Sequence, residues 1–161
     1  MKDELRKIRC AVIGHQPELL KQDEDEIKVA LENSILKAVS DGCTTFISGR
    51  SCGVGMWAAE IVVRLKKSNP NLHLIAAIPF AGFDEEWEEE ARLRYRFLLS
   101  QAEYVKVMEP ACSKEAYQVR NEWLVNHSAR LIAVHNGQPG STGNTIFYAR
   151  QCRRQVFVIK G

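Results

Sequence analysis

The chain has 161 residues, of which 45% are hydrophobic and 26% charged, and this composition suits one globular domain over residues 1–161. A formal net charge of +2 argues against the broad basic surface of duplex-binding proteins, so nucleic acid is not the expected partner. No apolar run reaches the roughly 18 residues of a membrane span, which argues against a membrane partner. The cysteines form no CxxC pair, which disfavours disulfides and a metal site and favours a cytoplasmic location.

Apolar runs of strand length alternate with segments of helical period along the whole chain. Residues 8–14, IRCAVIG, are typical of a buried strand, whereas residues 23–42 have an acidic first turn followed by apolar residues at helical spacing. The predicted strands are 8–14, 44–49, 71–80, 104–108, 130–135 and 155–160, and the predicted helices are 23–42, 54–67, 84–101, 113–127 and 145–154.

This alternation predicts an α/β protein with three layers, in which helices cover both faces of a doubly wound, mostly parallel sheet of about six strands, as in Rossmann-like folds. Such sheets bind ligands beyond the carboxyl ends of their strands, at the point where the strand order reverses. Polar and glycine-rich loops follow the first, second and fifth predicted strands. We therefore expect a ligand site where these three loops meet.

The loop after the first strand has the sequence GHQP, residues 14–17. Gly14 allows the chain to turn, and His15 is a candidate for facing a ligand. A simple turn with a surface histidine explains the same residues equally well.

The loop after the second strand leads into a glycine-containing pattern. Gly53, Gly55 and Ala58 match GxGxxA, in which glycines let a phosphate approach the N-terminus of a helix. The pattern follows the second strand, and no acidic residue closes the next strand, so an NAD-dependent dehydrogenase is disfavoured. Arg50 is suited to pairing with a phosphate, although a solvent-exposed arginine is the simpler interpretation.

The loop after the fifth strand contains Pro139-Gly-Ser-Thr-Gly-Asn-Thr145 and leads into a helix. Unpaired N–H groups, hydroxyl groups and the helix dipole together favour an anion at such a position. No lysine follows the last glycine, so the loop is not a Walker loop. A structural turn remains an equal alternative for this stretch taken alone.

Helix 113–127 carries an Arg120-Asn121 pair followed by Trp123. From the residues alone, a salt bridge on the surface of the helix is the favoured interpretation.

Six blocks in this order resemble one known family: GHQP, SGRSCGVGMWAAEIV, IAAIPF, VRNEWLV, LIAV and PGSTGNTIFYA. They are similar to the YpsA-like branch of the SLOG superfamily, whose relatives include the LOG phosphoribohydrolases and the DNA-processing DprA proteins. The resemblance covers nearly the whole chain. It implies a Rossmann-like domain that binds a nucleotide or a derivative, such as ADP-ribose, an NAD-related molecule or a nucleoside monophosphate, with no obligatory cofactor. A cytoplasmic sensor is one form of this function, and the resemblance leaves open whether the protein forms a homo-oligomer.

The resemblance also implies which residues contact the ligand, with three departures from the family pattern. Gly55 stands where the branch usually has Asp, Gln16 where it has Arg, and Ser141 where it has Gly. The first two changes remove charged groups, whereas Ser141 retains its N–H and is compatible with a phosphate. The candidate ligand residues are Gly14, His15, Ser48, Gly49, Arg50, Gly53, Gly55, Trp57, Glu60, Arg120, Asn121, Gly140, Ser141, Thr142, Gly143, Asn144 and Thr145, and Trp123 also matches the family motif.

The resemblance favours binding over catalysis. LOG enzymes have a glutamate that acts at the ribose, and Ile146 stands at the equivalent position, where it is unable to move a proton or stabilise an oxocarbenium ion. Glu60 is the nearest carboxylate within a motif and a weak catalytic candidate. The alternatives are therefore a LOG-like nucleotide N-glycosidase and, third, DprA-like binding of single-stranded DNA.

Overall fold

Strands and helices alternate through residues 3–49 and 51–161, which are the residues that the structure, a computed structural model, describes. The strands are β1 (Arg9–Ile13), β2 (Thr45–Ser48), β3 (His73–Phe80), β4 (Tyr104–Glu109), β5 (Arg130–His135) and β6 (Gln155–Lys160). The helices are α1 (Asp3–Lys7), α2 (Glu24–Ser40), α3 (Val54–Lys66), α4 (Glu89–Ser100), α5 (Lys114–Asn126) and α6 (Ser141–Gln151), with a 3₁₀ turn at Pro17–Leu19.

The six strands form one sheet in the order β4-β3-β2-β1-β5-β6, and every neighbouring pair is parallel. β1 pairs with β2 on one side and β5 on the other, with Val12 opposite both Ser48 and Ile132. The strand order therefore reverses between β1 and β5, and the carboxyl ends of these two strands lie side by side. The predicted α/β Rossmann-like fold is confirmed.

Helices cover both faces of the sheet. The helices α2, α3 and α4 pack together on one face, and α5 and α6 pack together on the other. The central strands β1, β2 and β5 are almost wholly buried, whereas the edge strands β4 and β6 are largely exposed. Burial on both faces explains why the central strands are continuous apolar runs in the sequence. No helix of the described residues is long and apolar enough to cross a membrane.

Two predicted helix starts are wrong. The last helix begins at Ser141, four residues before the predicted start at 145, and its Asn144 N–H donates to Gly140 O at 3.0 Å. Polar residues of low helix propensity favoured a loop there, but Thr142 and Thr145 are buried by tertiary packing.

The helix predicted to begin at residue 84 begins at Glu89. Residues 81–88, which we call the turn segment, form consecutive turns instead. The buried carboxylate of Asp84 accepts a hydrogen bond from Arg96 Nε at 3.0 Å, and Trp87 N–H donates to Asp84 O at 3.1 Å. The acidic residues predicted a first helical turn at residue 84. Instead, Asp84 is held by its hydrogen bond to Arg96 of α4, and the helix begins five residues later. The short helix α1 was not predicted.

Candidate functional site

The loops after β1, β2 and β5 meet at the carboxyl edge of the sheet, where they enclose a narrow cleft. Its volume is about 40 Å³, well below the roughly 300–1,000 Å³ of sites that enclose a whole small molecule. The cleft therefore has room for one small group, and the remainder of a larger ligand would lie outside it. The lining residues are Val12, Ile13, Gly14, Gly49, Ser51, Gly55, Arg120, Asn121, Leu124, Ser141 and Thr142.

The N-terminus of α6 forms one wall of this cleft. Gly140 precedes the helix with φ 156° and ψ −168°, and nothing lies within 4 Å of the position that a Cβ would take there. Among the described residues, the N–H groups of Ser141, Thr142 and Gly143 have no hydrogen-bond partner. Ser141 and Thr142 line the cleft, and their free N–H groups together with the positive end of the helix dipole attract an anion.

The side chains of this loop divide into two groups. Ser141 and Thr142 line the cleft. Thr145 is buried, and its Oγ1 donates to Ser141 O at 2.8 Å, so it stabilises the first helical turn. Gly143 lies against the ring of His135, and Asn144 is exposed outside the cleft.

Arg120 is buried at the opposite wall, with only 8% of its surface exposed. Its Nη1 donates to Gly49 O at 3.2 Å and its Nε to Asn121 Oδ1 at 2.9 Å. Nη2 has no hydrogen-bond partner in residues 3–49 and 51–161, and no carboxylate of these residues lies within 4 Å of the guanidinium. Burial lowers the pKa of Arg120 to about 10, so the group is still charged at neutral pH. The predicted surface salt bridge is not formed.

Helical spacing explains why Arg120 is buried. Ala116, Arg120 and Leu124 follow each other at intervals of four on the face of α5 that packs against the sheet. Ser113 begins this helix, because its Oγ accepts from Ala116 N–H at 3.0 Å. The signal was present in the sequence, since an arginine between two apolar residues at this spacing lies on the buried stripe.

The glycines of the first two loops allow close packing around the cleft. A Cβ on Gly14 would lie 2.5 Å from the side chain of Val54, and one on Gly53, whose φ is 91°, would lie 2.6 Å from His15 O. Ser48 Oγ donates to Gly55 O at 3.0 Å and so holds the start of α3 against β2. Gly14 and Gly55 line the cleft, while Gly53 and Ser48 support its walls.

His15 joins the first loop to the fifth. Its Nε2 accepts from the backbone N–H of Asn136 at 3.1 Å, and its ring stacks on His135 with centroids 5.8 Å apart. Burial lowers the pKa of His15, and the neighbouring His135 lowers it further, so the neutral ring that accepts this bond is favoured. Asn136 also binds the 3₁₀ turn, because its Nδ2 donates to Leu19 O at 3.0 Å. The sequence carried no signal for Asn136 or His135.

Besides Asn144, the two candidate tryptophans and Glu60 lie away from the cleft. Trp57 is buried in the core, with the ammonium of Lys28 5.1 Å from its ring. Glu60 forms an ion pair with Arg94 of α4 on the outer surface. Trp123 stacks on His127, with ring centroids 3.9 Å apart.

Arg50 lies outside the described residues. Within those residues no group of three His, Cys, Asp or Glu side chains is placed to hold a metal ion. Among the described residues that line the cleft, Arg120 is the one charged side chain. Arg120 and the N-terminus of α6 therefore make the cleft suited to holding an anion.

A parallel sheet with a glycine-rich cleft at its switch point defines a Rossmann-like α/β protein. Residues 10–156 match the model of the YspA SLOG family (YpsA), and the chain belongs to this family, as the sequence motifs predicted. A UPF0398 protein of Halalkalibacterium halodurans is 30% identical over 132 residues, which cover 80% of this chain and 70% of that protein. A UPF0398 protein of Bacillus cereus strain B4264 is 34% identical over 140 residues, which cover 81% of this chain and 76% of that protein.

Two solved DprA structures share the fold. DNA processing protein A of Streptococcus pneumoniae superposes with a TM-score of 0.60 at 20% identity, covering 99% of this chain and 52% of that chain. DprA of Helicobacter pylori, whose structure describes its single-stranded DNA binding mode, superposes with a TM-score of 0.64 at 17% identity. The superposition covers 97% of this chain and 66% of that chain. The chain thus spans between half and two thirds of these DprA chains.

Proposed function

We propose that the protein binds a nucleotide or a nucleotide derivative through a phosphate group held in the cleft. The observation that carries the proposal is the buried guanidinium of Arg120, which has only neutral oxygen partners among the described residues. A buried charge without a counter-charge is costly, and a bound anion would remove much of that cost. Arginine also matches the geometry of phosphate oxygens through two parallel hydrogen bonds.

The opposite wall supports a phosphate over a smaller anion. The free N–H groups of Ser141 and Thr142 lie in the first turn of α6, and these residues line the same cleft as Arg120. A phosphate has several oxygens, so it can accept hydrogen bonds from the N–H groups of α6 and from Arg120 at the same time. Phosphates are bound in a similar way at other helix N-termini. Since the cleft is narrow, the nucleoside part lies outside it. ADP-ribose, an NAD-related molecule and a nucleoside monophosphate all fit this description, and a sensor role is compatible with binding without catalysis.

Isothermal titration with a matched pair of ligands tests the proposal. AMP and ADP-ribose each carry phosphate, whereas adenosine presents the same base and sugar without it. We expect the phosphate-bearing ligands to bind at least about tenfold more tightly, on the scale of one or two charge-assisted hydrogen bonds. Adenosine binding as tightly as AMP would contradict phosphate anchoring. Mass spectrometry of small molecules released from the purified protein would then identify the natural ligand.

Single-stranded DNA is a second candidate ligand, because the Helicobacter pylori DprA structure that shares this fold describes DNA binding. A phosphodiester would use the same donors. The net charge of +2 gives little support for a long electrostatic track along the strand. Titration of a fluorescent oligonucleotide at several salt concentrations separates the two candidates. Tight, salt-dependent binding of the oligonucleotide, with weaker binding of mononucleotides, would favour DNA.

A further inference from the structure

A second pocket opens at the same edge of the sheet as the cleft. It lies between the turn segment after β3 and residues 110–112 after β4, and its volume is about 540 Å³, which is within the range of small-molecule sites. Four aromatic side chains line it, and the sequence motifs assign no role to any of them: Phe80, Phe83, Trp87 and Tyr117.

These rings are arranged so that some of their surface stays open. Phe83 is central, with its ring centroid 5.4 Å from Phe80, 5.0 Å from Trp87 and 6.1 Å from Tyr117, all in edge-to-face contacts. Phe80 and Phe83 are buried, whereas Tyr117 is 38% exposed. Phe83 therefore supports its neighbours, while Tyr117 offers ring surface to a planar ligand.

The turn segment is fixed in place before any ligand binds. Asp84 is buried and bonded to Arg96, and Ala81 N–H donates to Glu109 O at 3.0 Å, which ties the segment to the end of β4. A pocket whose walls are already ordered loses little conformational entropy when it binds a ligand.

The aromatic pocket is connected to the phosphate cleft through α5. Tyr117 lines the pocket and Arg120 lines the cleft, and the Arg120 guanidinium lies 5.9 Å from the Tyr117 ring centroid. The pocket follows β3, two strands from β1 in the sheet, which is a separation of about 10 Å. A nucleoside diphosphate extends over a distance of this order from its terminal phosphate to its base, whereas a nucleoside monophosphate is shorter.

The charges around the cleft and the pocket favour one orientation of the ligand. Glu85 and Glu86 are exposed at the pocket, and the lining residues within 3–49 and 51–161 include neither lysine nor arginine. The cleft has the opposite character, because its described lining residues include Arg120 and no carboxylate. Phosphates are therefore attracted to the cleft and repelled from the pocket, which leaves the uncharged end of the ligand to face the aromatic rings.

We propose that the aromatic pocket is the subsite for the base of the ligand whose terminal phosphate occupies the cleft. The ligand class is then a nucleoside diphosphate or a derivative that contains one, with its base stacked on Tyr117. This inference rests on the proposed function and narrows its ligand class.

The test compares ligands with and without a base on the full-length protein. Pyrophosphate reports on the cleft alone, and ADP, GDP, CDP and UDP report on cleft and pocket together. We expect pyrophosphate to bind and at least one nucleoside diphosphate to bind about tenfold more tightly, the scale of base–aromatic stacking. Tyr117→Leu removes the ring, and Ala111→Trp fills the pocket from an exposed position. Each variant is expected to lose that gain and to keep the affinity for pyrophosphate.

Tyr104→Leu is the matched control, because Tyr104 is an exposed tyrosine of β4 that lies outside both sites, and it should retain wild-type binding of every probe. If no nucleoside diphosphate binds more tightly than pyrophosphate, or if Tyr117→Leu and Ala111→Trp leave the gain intact, the base subsite is wrong and the phosphate cleft stands. If nucleoside diphosphates fail to bind while AMP binds, the base subsite is wrong and the proposed function stands; if pyrophosphate, the nucleoside diphosphates, AMP and ADP-ribose all fail to bind, the proposed function itself is overturned.

Discussion

Gly49 and Arg120 are 71 positions apart in the chain, yet the guanidinium of Arg120 fills the space that a side chain at residue 49 would need. A Cβ on Gly49 would lie 2.1 Å from Arg120 Nη1, while Gly49 O accepts the hydrogen bond from that same nitrogen. The absence of a side chain at the end of β2 thus allows a buried cation to reach the cleft. This dependence of one residue on the other gives the first prediction.

Gly49→Ala should destabilise the protein, because the new methyl group overlaps the guanidinium. We expect a loss of about 1–3 kcal/mol in the free energy of unfolding, as for other overpacked sites. Arg120→Ala in the same chain removes the overlap, so the two changes should be non-additive in a double-mutant cycle measured by urea unfolding. Additive losses would show that the strain at residue 49 has another origin.

Arg120→Lys should weaken binding of ADP-ribose or AMP by at least about 1 kcal/mol, the scale of a charge-assisted hydrogen bond. Lysine retains the charge but is unable to reproduce two parallel hydrogen bonds to a phosphate. Isothermal titration measures the effect, with Arg150→Lys on the exposed surface of α6 as the control. Equal affinities of the wild type and Arg120→Lys would remove Arg120 from the ligand site.

Ser141→Asp separates an anion site from a structural turn, because it should change stability and binding in opposite directions. A carboxylate in the first turn of α6 interacts favourably with the helix dipole, so the melting temperature should stay equal or rise slightly. The same carboxylate repels a phosphate from the cleft, and we expect affinity for ADP-ribose to fall at least about tenfold. Ser141→Asn is the uncharged control. Unchanged affinity in Ser141→Asp would favour the turn.

His15 should make stability depend on pH. Burial and His135 lower the pKa of His15, so the folded protein binds fewer protons there than the unfolded chain does. This contribution is complete above the ordinary pKa of about 6.5 and is lost as the pH falls through the folded pKa. Urea unfolding between pH 8 and pH 5 should show a smaller loss of stability for His15→Gln than for the wild type.

His127 also has its pKa lowered by burial, but it titrates in both proteins and cancels in this comparison. Identical pH dependence of the wild type and His15→Gln would show that the bond to Asn136 N–H does not couple protonation to folding.

The protein should not release free base from nucleoside 5′-monophosphates at an enzymatic rate. Ile146 is buried in the core where LOG enzymes have their glutamate, and Glu60 is ion-paired with Arg94 away from the cleft. Chromatography of AMP, GMP, CMP and UMP incubated with the protein measures any release. Steady turnover would establish the N-glycosidase alternative, and its loss in Glu60→Gln would identify the carboxylate responsible.

Much of the fold was predictable from the sequence, because its signals are local. Buried parallel strands are continuous apolar runs, and helices show a period of 3.6 residues wherever they occur. The order of these elements predicted a doubly wound sheet, and the glycine-rich loops after strands one, two and five predicted the edge where the cleft lies. The spacing of Ala116, Arg120 and Leu124 is equally local, and it places Arg120 on the buried stripe of α5 and not in the predicted surface salt bridge.

Tertiary packing decided what local signals do not contain. The start of α6 at Ser141 depends on the burial of Thr142 and Thr145, and Glu60, on the outer side of α3, pairs with Arg94, 34 positions later in the chain. The bond between Gly49 and Arg120 depends on α5 packing against the sheet. Each of these contacts joins residues that are distant in sequence, and the distance between such residues is determined by how helices pack on the sheet. The sequence by itself therefore determined the elements, their order and the edge that carries the site, and only the tertiary structure decided which side chains meet there.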